Sequence, residues 1–229
     1  MSWLLPSRFG ISQRRDLNCP LMSTLVTFAV PEESGPFRKL KLPDVRICVT
    51  GMGAQAAEQR VRAELDRERP DRVLSCGFCG ALNPSLGRKT LLLGDDLDSV
   101  FEPAAVGVQR CKFHCADRVA VTAHEKEMLF RQTACDAVEM ESGIIRRICG
   151  ELGIPSATLR VVSDAADEDL PLDFNKLMNT KGGIHFGRLA LEVARRPGMI
   201  PRLMRLQKQS SQAAAVLSAG LKNILDRLS

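Results

Sequence analysis

Short β-branched runs alternate with stretches of helical period along most of the 229-residue chain, and no other feature constrains its fold as tightly. The runs are 24–30, 45–50, 72–76, 90–93, 118–122 and 157–162. Each is short and apolar, as strands covered on both faces are. Between the second and third, Ala57, Val61 and Leu65 recur at helical spacing, and Pro70 ends the pattern. Helices are also expected over 125–133 and 141–152, the latter closed by Gly153 and Pro155. The tail predicts a helix over 184–196, a break at Pro197-Gly198 and a long helix from Pro201. This order implies an α/β fold, a mixed central sheet flanked by helices with a helical C-terminal tail from about 184 to 229. No repeat or low-complexity linker interrupts it, so residues 22–229 read as one domain. Residues 1–21 show no clean period and read as a disordered extension; Met22 directly precedes the first strand.

Hydrophobic residues make up 45% and charged residues 26%, a balance that excludes a disordered or fibrous chain. No apolar run reaches the roughly 18 residues of a membrane-spanning helix. Arg8, Arg14 and Arg15 have no apolar stretch behind them, which argues against a secretory leader and for a cytoplasmic protein. The net charge of +5 is too mild to mark a nucleic-acid binder. It is concentrated in the tail, where Arg188, Arg195, Arg196, Arg202, Arg205, Lys208, Lys222 and Arg227 face only Glu192 and Asp226. A basic tail on a neutral body reads first as a solvated helix face, and it also suits peripheral contact with a membrane surface, a polyanion or an acidic partner. The eight cysteines read as reduced thiols. Cys76-x-x-Cys79 adjoins glycines at the end of an apolar run, and Cys111-x-x-His114-Cys115 lacks strong turn residues, so no metal is expected.

In a sheet of this kind ligands bind beyond the carboxyl ends of strands. The acids that fall there are Glu32 and Glu33, Glu139 and Glu141, and Asp164 and Asp167. Gly51-x-Gly53 and Gly77-Phe78-Cys79-Gly80 follow two further strands and read as turns that admit a ligand close to the backbone. The first lacks the third glycine of a dinucleotide fingerprint, so no such cofactor is expected.

Taken in order, Ala29-Val30-Pro31-Glu32-Glu33, Cys76-Gly77-Phe78-Cys79-Gly80-Ala81-Leu82, Val138-Glu139-Met140-Glu141-Ser142 and Arg160-Val161-Val162-Ser163-Asp164-Ala165-Ala166-Asp167 resemble the motifs of the nucleoside phosphorylase and nucleosidase superfamily. At the carboxylates the chain is similar to methylthioadenosine/S-adenosylhomocysteine nucleosidases. In Gly-Phe-Cys-Gly-Ala-Leu and in Arg195-Arg196-Pro197-Gly198 it resembles hopanoid-associated phosphorylases. The resemblance implies cleavage of the N-glycosidic bond of a 5′-substituted adenosine, with an adenosylhopane-type substrate as one form. Asp164 matches the acid that protonates the leaving purine, a role that requires partial burial to keep the carboxyl protonated. Glu33 matches the base that activates water, and Glu141 the acceptor of both ribose hydroxyls. Met140 matches the apolar residue under the sugar. Phe78, Phe174, Gly77 and Ser163 complete the expected binding residues. The arginine and serine with which family phosphorylases hold phosphate correspond to Ser75 and Phe78, which favours water as nucleophile; phosphate, if used, would need Arg38 or Arg88. Glu139 is expected to serve a structural hydrogen bond. No cofactor is implied, with inorganic phosphate a co-substrate only for phosphorolysis. The superfamily resemblance also implies a homo-oligomer. Two alternatives stay open: phosphorolysis, and a non-catalytic nucleoside- or lipid-binding protein on the same fold.

Overall fold

The computed structural model describes residues 22–179 and 182–228; the expected N-terminal extension lies outside the described residues. The strands are β1 (Thr24–Phe28), β2 (Val45–Val49), β3 (Arg72–Ala81), β4 (Leu91–Gly94), β5 (Gln109–Cys111), β6 (Phe113–Cys115), β7 (Ala137–Glu139) and β8 (Ser156–Asp164). They form one mixed sheet whose main order is β2-β1-β3-β8-β4-β5, with β7 on the far end of β3 and β6 beside β7. The helices are α1 (Pro31–Arg38), α2 (Ala54–Arg67), α3 (Ala123–Thr133), α4 (Ser142–Leu152), α5 (Phe174–Leu177), α6 (Phe186–Arg195) and α7 (Ile200–Leu228).

Successive residues of a strand point to opposite faces, and here both faces are apolar. Leu25 and Val73 pack with Val61, Leu65, Ile145 and Ile148 of α2 and α4. Their neighbours Val26 and Leu74 pack on the opposite side with Leu217, Leu221 and Ile224 of α7. Each such fully buried side chain contributes about 1.5–3 kcal/mol. The apolar stripe in the tail thus belongs to the core from Ala213 onward. Gly153, at φ +64°, closes α4 in the left-handed conformation expected of a glycine helix end.

Two expectations fail. Residues 118–122 form no strand. Thr122 caps α3 by accepting the backbone N–H of Glu125, while Glu125 accepts the N–H groups of Val121 and Thr122. Asn175 takes both backbone groups of Val119. Side chains thus satisfy backbone that would otherwise seek a ladder. The second failure concerns Gly77–Gly80, which form no turn: β3 runs straight through them to Ala81.

Candidate active site

The extension of β3 creates the site. On one edge, β1 pairs with β3 only as far as Ser75, and β7 takes over at Gly80 and Ala81. The backbone N–H of Phe78, in the interval between them, donates to Glu33 Oε1 at 2.7 Å. Glu33 sits in the first turn of α1, where its other oxygen accepts the N–H groups of Ala29 at 2.8 Å and Val30 at 3.2 Å. A side chain at position 77 would place its Cβ 2.8 Å from Glu33 Oε1, so glycine is what lets the carboxylate reach the strand. Burial raises the proton affinity of Glu33 above the usual carboxylate range, against the pull of the Phe78 N–H and of Arg160.

A second acidic group lies where β7 meets α4. Glu139 accepts the N–H groups of Glu141 at 3.0 Å and Ser142 at 2.8 Å and the Ser142 hydroxyl at 2.7 Å. It thereby closes the exposed donors at the N-terminus of α4, the structural role expected of it. It also pairs with Arg160 of β8, 2.6 Å away. Arg160 is 1% exposed and also donates to the Ser75 carbonyl at 2.7 Å and the Ser75 hydroxyl at 3.1 Å. Burial opposes the charge on Glu139, but Arg160 and the Ser142 donors outweigh it and hold its pKa below the usual range.

Glu141 is treated differently by the same surroundings. Burial and the adjacent charge of Glu139 push its pKa up to about 7, while Arg160 and the Gly53 N–H resist. That N–H, 2.7 Å from Glu141 Oε1, belongs to the residue that caps the start of α2. Gly53 adopts φ +88°, a conformation that favours glycine. A Cβ there would lie 3.6 Å from Met140 Cε, so Met140 and Glu141 both reach the Gly51–Gly53 turn.

Asp164 ends β8. The ladder with β3 shifts register there: Val162 pairs with Cys79 and Asp164 with Gly80, leaving Ser163 as an extra residue. Ser163 turns its hydroxyl to Asp164 Oδ1 at 2.6 Å and to the Cys79 carbonyl at 3.1 Å. A Cβ on Gly80 would meet Asp164 Oδ2 at 3.0 Å. Glu33 and Asp164 therefore touch β3 at positions 77 and 80, about 10 Å apart along the strand. The remaining partner of Asp164 is Lys126 of α3, whose ammonium lies 2.5 Å from Oδ2 and whose side chain has no exposed surface.

The structure thus gathers Glu33, Gly77, Phe78, Met140, Glu141, Ser163 and Asp164 around β3 and its neighbours. Phe78 also packs against the apolar core under α7. Phe174 packs in a small apolar group with Leu172, Leu177, Met199 and Leu203 that fastens α5 and α6 to the start of α7. Glu32 and Asp167 are both exposed. A cavity of about 470 Å³ between β6 and α3, lined by His114, Cys115, Arg118, His124 and Met128, contains none of the expected site residues. Cys76 and Cys79 are buried strand residues, and burial lifts the Cys76 thiol to about 12. Among the described residues no cluster of His, Cys, Asp and Glu is arranged to hold a metal.

Sequence reasoning missed Arg160 and Lys126. Arg160 had a signal: a charged residue in an apolar run buried on both faces must be paired. Lys126 had none, since it stands between Glu125 and Glu127 on a helix that reads as polar.

A family model described as the phosphorylase superfamily matches residues 23–110 and 104–195. The 5′-methylthioadenosine/S-adenosylhomocysteine nucleosidase of Shewanella oneidensis is 25% identical over 178 residues, which cover 62% of this chain and 75% of that protein. The nucleosidase of the same description from Colwellia psychrerythraea, solved with adenine, superposes with a TM-score of 0.66 at 17% identity over 90% of this chain and 96% of that one. A futalosine hydrolase mutant from Helicobacter pylori gives 0.64 at 16%, over 90% and 99%. At such identities the structural likeness speaks for the fold, an α/β sheet with the same helical cover.

Proposed function

The chain belongs to the phosphorylase superfamily, and from that footing we propose that it hydrolyses the N-glycosidic bond of an adenosine-type nucleoside, releasing adenine. The observation that carries this reading is the burial of three carboxylates, Glu33, Glu141 and Asp164, at 4–8% exposure around a single strand. Breaking the bond makes the ribose cationic and the purine anionic, and each carboxylate suits one part of that change. Asp164 delivers a proton to the purine, with Ser163 fixing the orientation of its carboxyl. Glu141 offers two oxygens to the vicinal hydroxyls, over the flat apolar support of Met140. Glu33, with its proton affinity raised by burial, takes a proton from the attacking water. Arg160 neutralises the surplus negative charge without touching the substrate.

Water is favoured over phosphate because the cations named for phosphate are engaged. Arg38 donates to Ser34 and Arg88 pairs with Glu168. The Ser75 hydroxyl accepts from Arg160. The reaction so read needs no cofactor. The 5′ substituent we assign is apolar, with adenosylhopane as one form, on the strength of the sequence resemblance and of the tail's surface. No side chain of α6 is buried; Phe186 is 78% exposed, and Ile200 and Met204 follow on α7 at 44% and 65%. Arg188, Arg195, Arg196, Arg202 and Arg205 share the stretch 186–205 with a single acid, Glu192. Exposed apolar side chains on a basic stretch suit an anionic lipid surface. No helix among the described residues is long and apolar enough to cross a membrane. Assembly as a homo-oligomer is part of the same reading and is checked by light scattering.

The test is adenine release from 5′-substituted adenosines, with the 5′ group varied from methylthio to long alkyl, in phosphate-free buffer and in phosphate. Equal rates in both buffers support hydrolysis. Rates that require phosphate convert the reading to phosphorolysis. Tight binding with no turnover over hours converts it to a binding protein. Flotation with vesicles should rise with the anionic lipid fraction and fall with salt; indifference to lipid charge removes the membrane from the reading.

A further inference from the structure

A lysine with no exposed surface is uncommon, because burying an ammonium is costly unless every hydrogen finds an acceptor. Lys126 meets that condition. Its three hydrogens face three oxygens: Asp164 Oδ2 at 2.5 Å, the Ala165 carbonyl at 2.8 Å and the Glu168 carbonyl at 2.9 Å. A buried ion pair is a poor stabiliser compared with packed apolar side chains, so its presence calls for a use. The carboxylate it holds is the one assigned to protonate the purine.

We propose that Lys126 is the proton reservoir behind Asp164, so that the leaving base is protonated by a lysine–aspartate relay. The inference rests on the nucleosidase reading of the site. In the first transfer an Nζ–H bond breaks and an O–H bond forms on the Asp164 carboxyl, which leaves a neutral amine beside a neutral acid. In the second, that O–H bond breaks as the purine N7–H bond forms, while the electron pair of the C1′–N9 bond passes to the base. Adenine leaves neutral and Asp164 is again a carboxylate. Water adds to C1′ and gives its proton to Glu33. After product release that proton passes to solvent, and Lys126 takes one back, so the cycle consumes only water and nucleoside.

Ser163 is suited to both states of the acid. Its single hydrogen can go to Asp164 Oδ1 when the carboxyl is ionised. It can go instead to the Cys79 carbonyl, 3.1 Å away, when the carboxyl is protonated. The other charged groups around the pair are few. Glu168 and its partner Arg88 lie on the segments beyond β8 and before β4. On α3 itself Glu125 pairs with Arg118 and Glu127 with Arg131, on faces turned away from Lys126.

The experiment is the pH profile of kcat for wild type, Lys126→Met and Lys126→Arg, each checked for folding by thermal melting. For Lys126→Met, kcat falls about 100-fold or more, in the range of general acid help, with KM changed by less than about threefold. The shape of its pH profile then departs from that of wild type, because the proton for the base comes from solvent and not from Lys126. A Lys126→Met profile parallel to wild type overturns the relay. If Lys126→Met does not fold, Lys126→Arg decides: a guanidinium keeps the cation but does not release a proton. A slow Lys126→Arg supports the relay, and a wild-type kcat overturns it. Wild-type protein that cleaves no nucleoside ends both this inference and the functional reading; active wild type with unaltered variants ends the relay alone.

Discussion

The Arg160 guanidinium lies 2.6 Å from Glu139 and 4.0 Å from Glu141. That difference separates two carboxylates only two residues apart in the chain. Glu139, in direct contact with the cation and three donors, stays charged and holds the start of α4. Glu141, outside that contact, is buried beside a negative neighbour and is pushed to about 7. Burial bears on both acids, and the nearer contact with Arg160 and the Ser142 donors keep Glu139 low while Glu141 is raised.

Removing Arg160 should be severe. Arg160→Met leaves Glu139 buried without its cation, and breaking a buried pair costs about 3–5 kcal/mol. Urea unfolding should show that loss, and the Arg160→Met/Glu139→Gln double variant should recover part of it. A double variant no more stable than the single one would mean that Glu139 does not need the cation.

Ligands bearing both ribose hydroxyls should bind with a pH dependence. The hydroxyls donate, so Glu141 must accept as a carboxylate. Its proton affinity in the empty site is raised to about 7 by burial and by Glu139. Affinity should therefore rise with pH up to about 7 and level off above it, with proton release on binding below that point. Calorimetry in two buffers of different ionisation enthalpy measures the released proton. A 2′,3′-dideoxy analogue should show neither effect.

The acid and the base should be separable from binding. Asp164→Asn and Glu33→Gln should each lower kcat by about 10²–10⁴ while leaving KM within a few-fold. Single-turnover adenine release, with analogue binding as the control, reads both. A variant that loses binding as much as turnover would place its residue in substrate recognition instead.

Gly77→Ala should damage activity more than stability. The new methyl would stand 2.8 Å from Glu33 Oε1 and displace the carboxylate from the Phe78 N–H. Turnover should approach that of Glu33→Gln. Gly35→Ala, at a position with nothing within 4 Å of the added carbon, is the control and should retain wild-type turnover.

Much of this arrangement can be read before any coordinates. The five longer strands and the apolar stripe of α7 follow from period and residue type, and the three acids follow from the resemblance of their motifs. The three-residue strands β5, β6 and β7 do not, because three residues carry no period. The segment 118–122 has the composition of a strand, but Thr122 and Glu125 form a helix cap that draws it out of the sheet. The glycines at 77 and 80 read as a turn because glycine usually marks one. Here each removes a side chain that would collide with a carboxylate, a requirement set by residues 44 and 84 positions away. Lys126 escaped notice for the same reason: its partner lies on a distant strand, and only the folded chain brings them together.

The unpaired residue at Ser163 has a further meaning for anyone altering this molecule. Along a regular strand, neighbouring side chains look in opposite directions, so an acid and the hydroxyl beside it would never meet. The extra residue lets them do so. Deleting Ser163 would leave every motif letter but one intact, yet it would remove the extra residue and the hydroxyl bonded to the Asp164 carboxyl. Sequence searches would still rank such a shortened chain among its kin, while the proton donor we propose would have lost its hydroxyl partner.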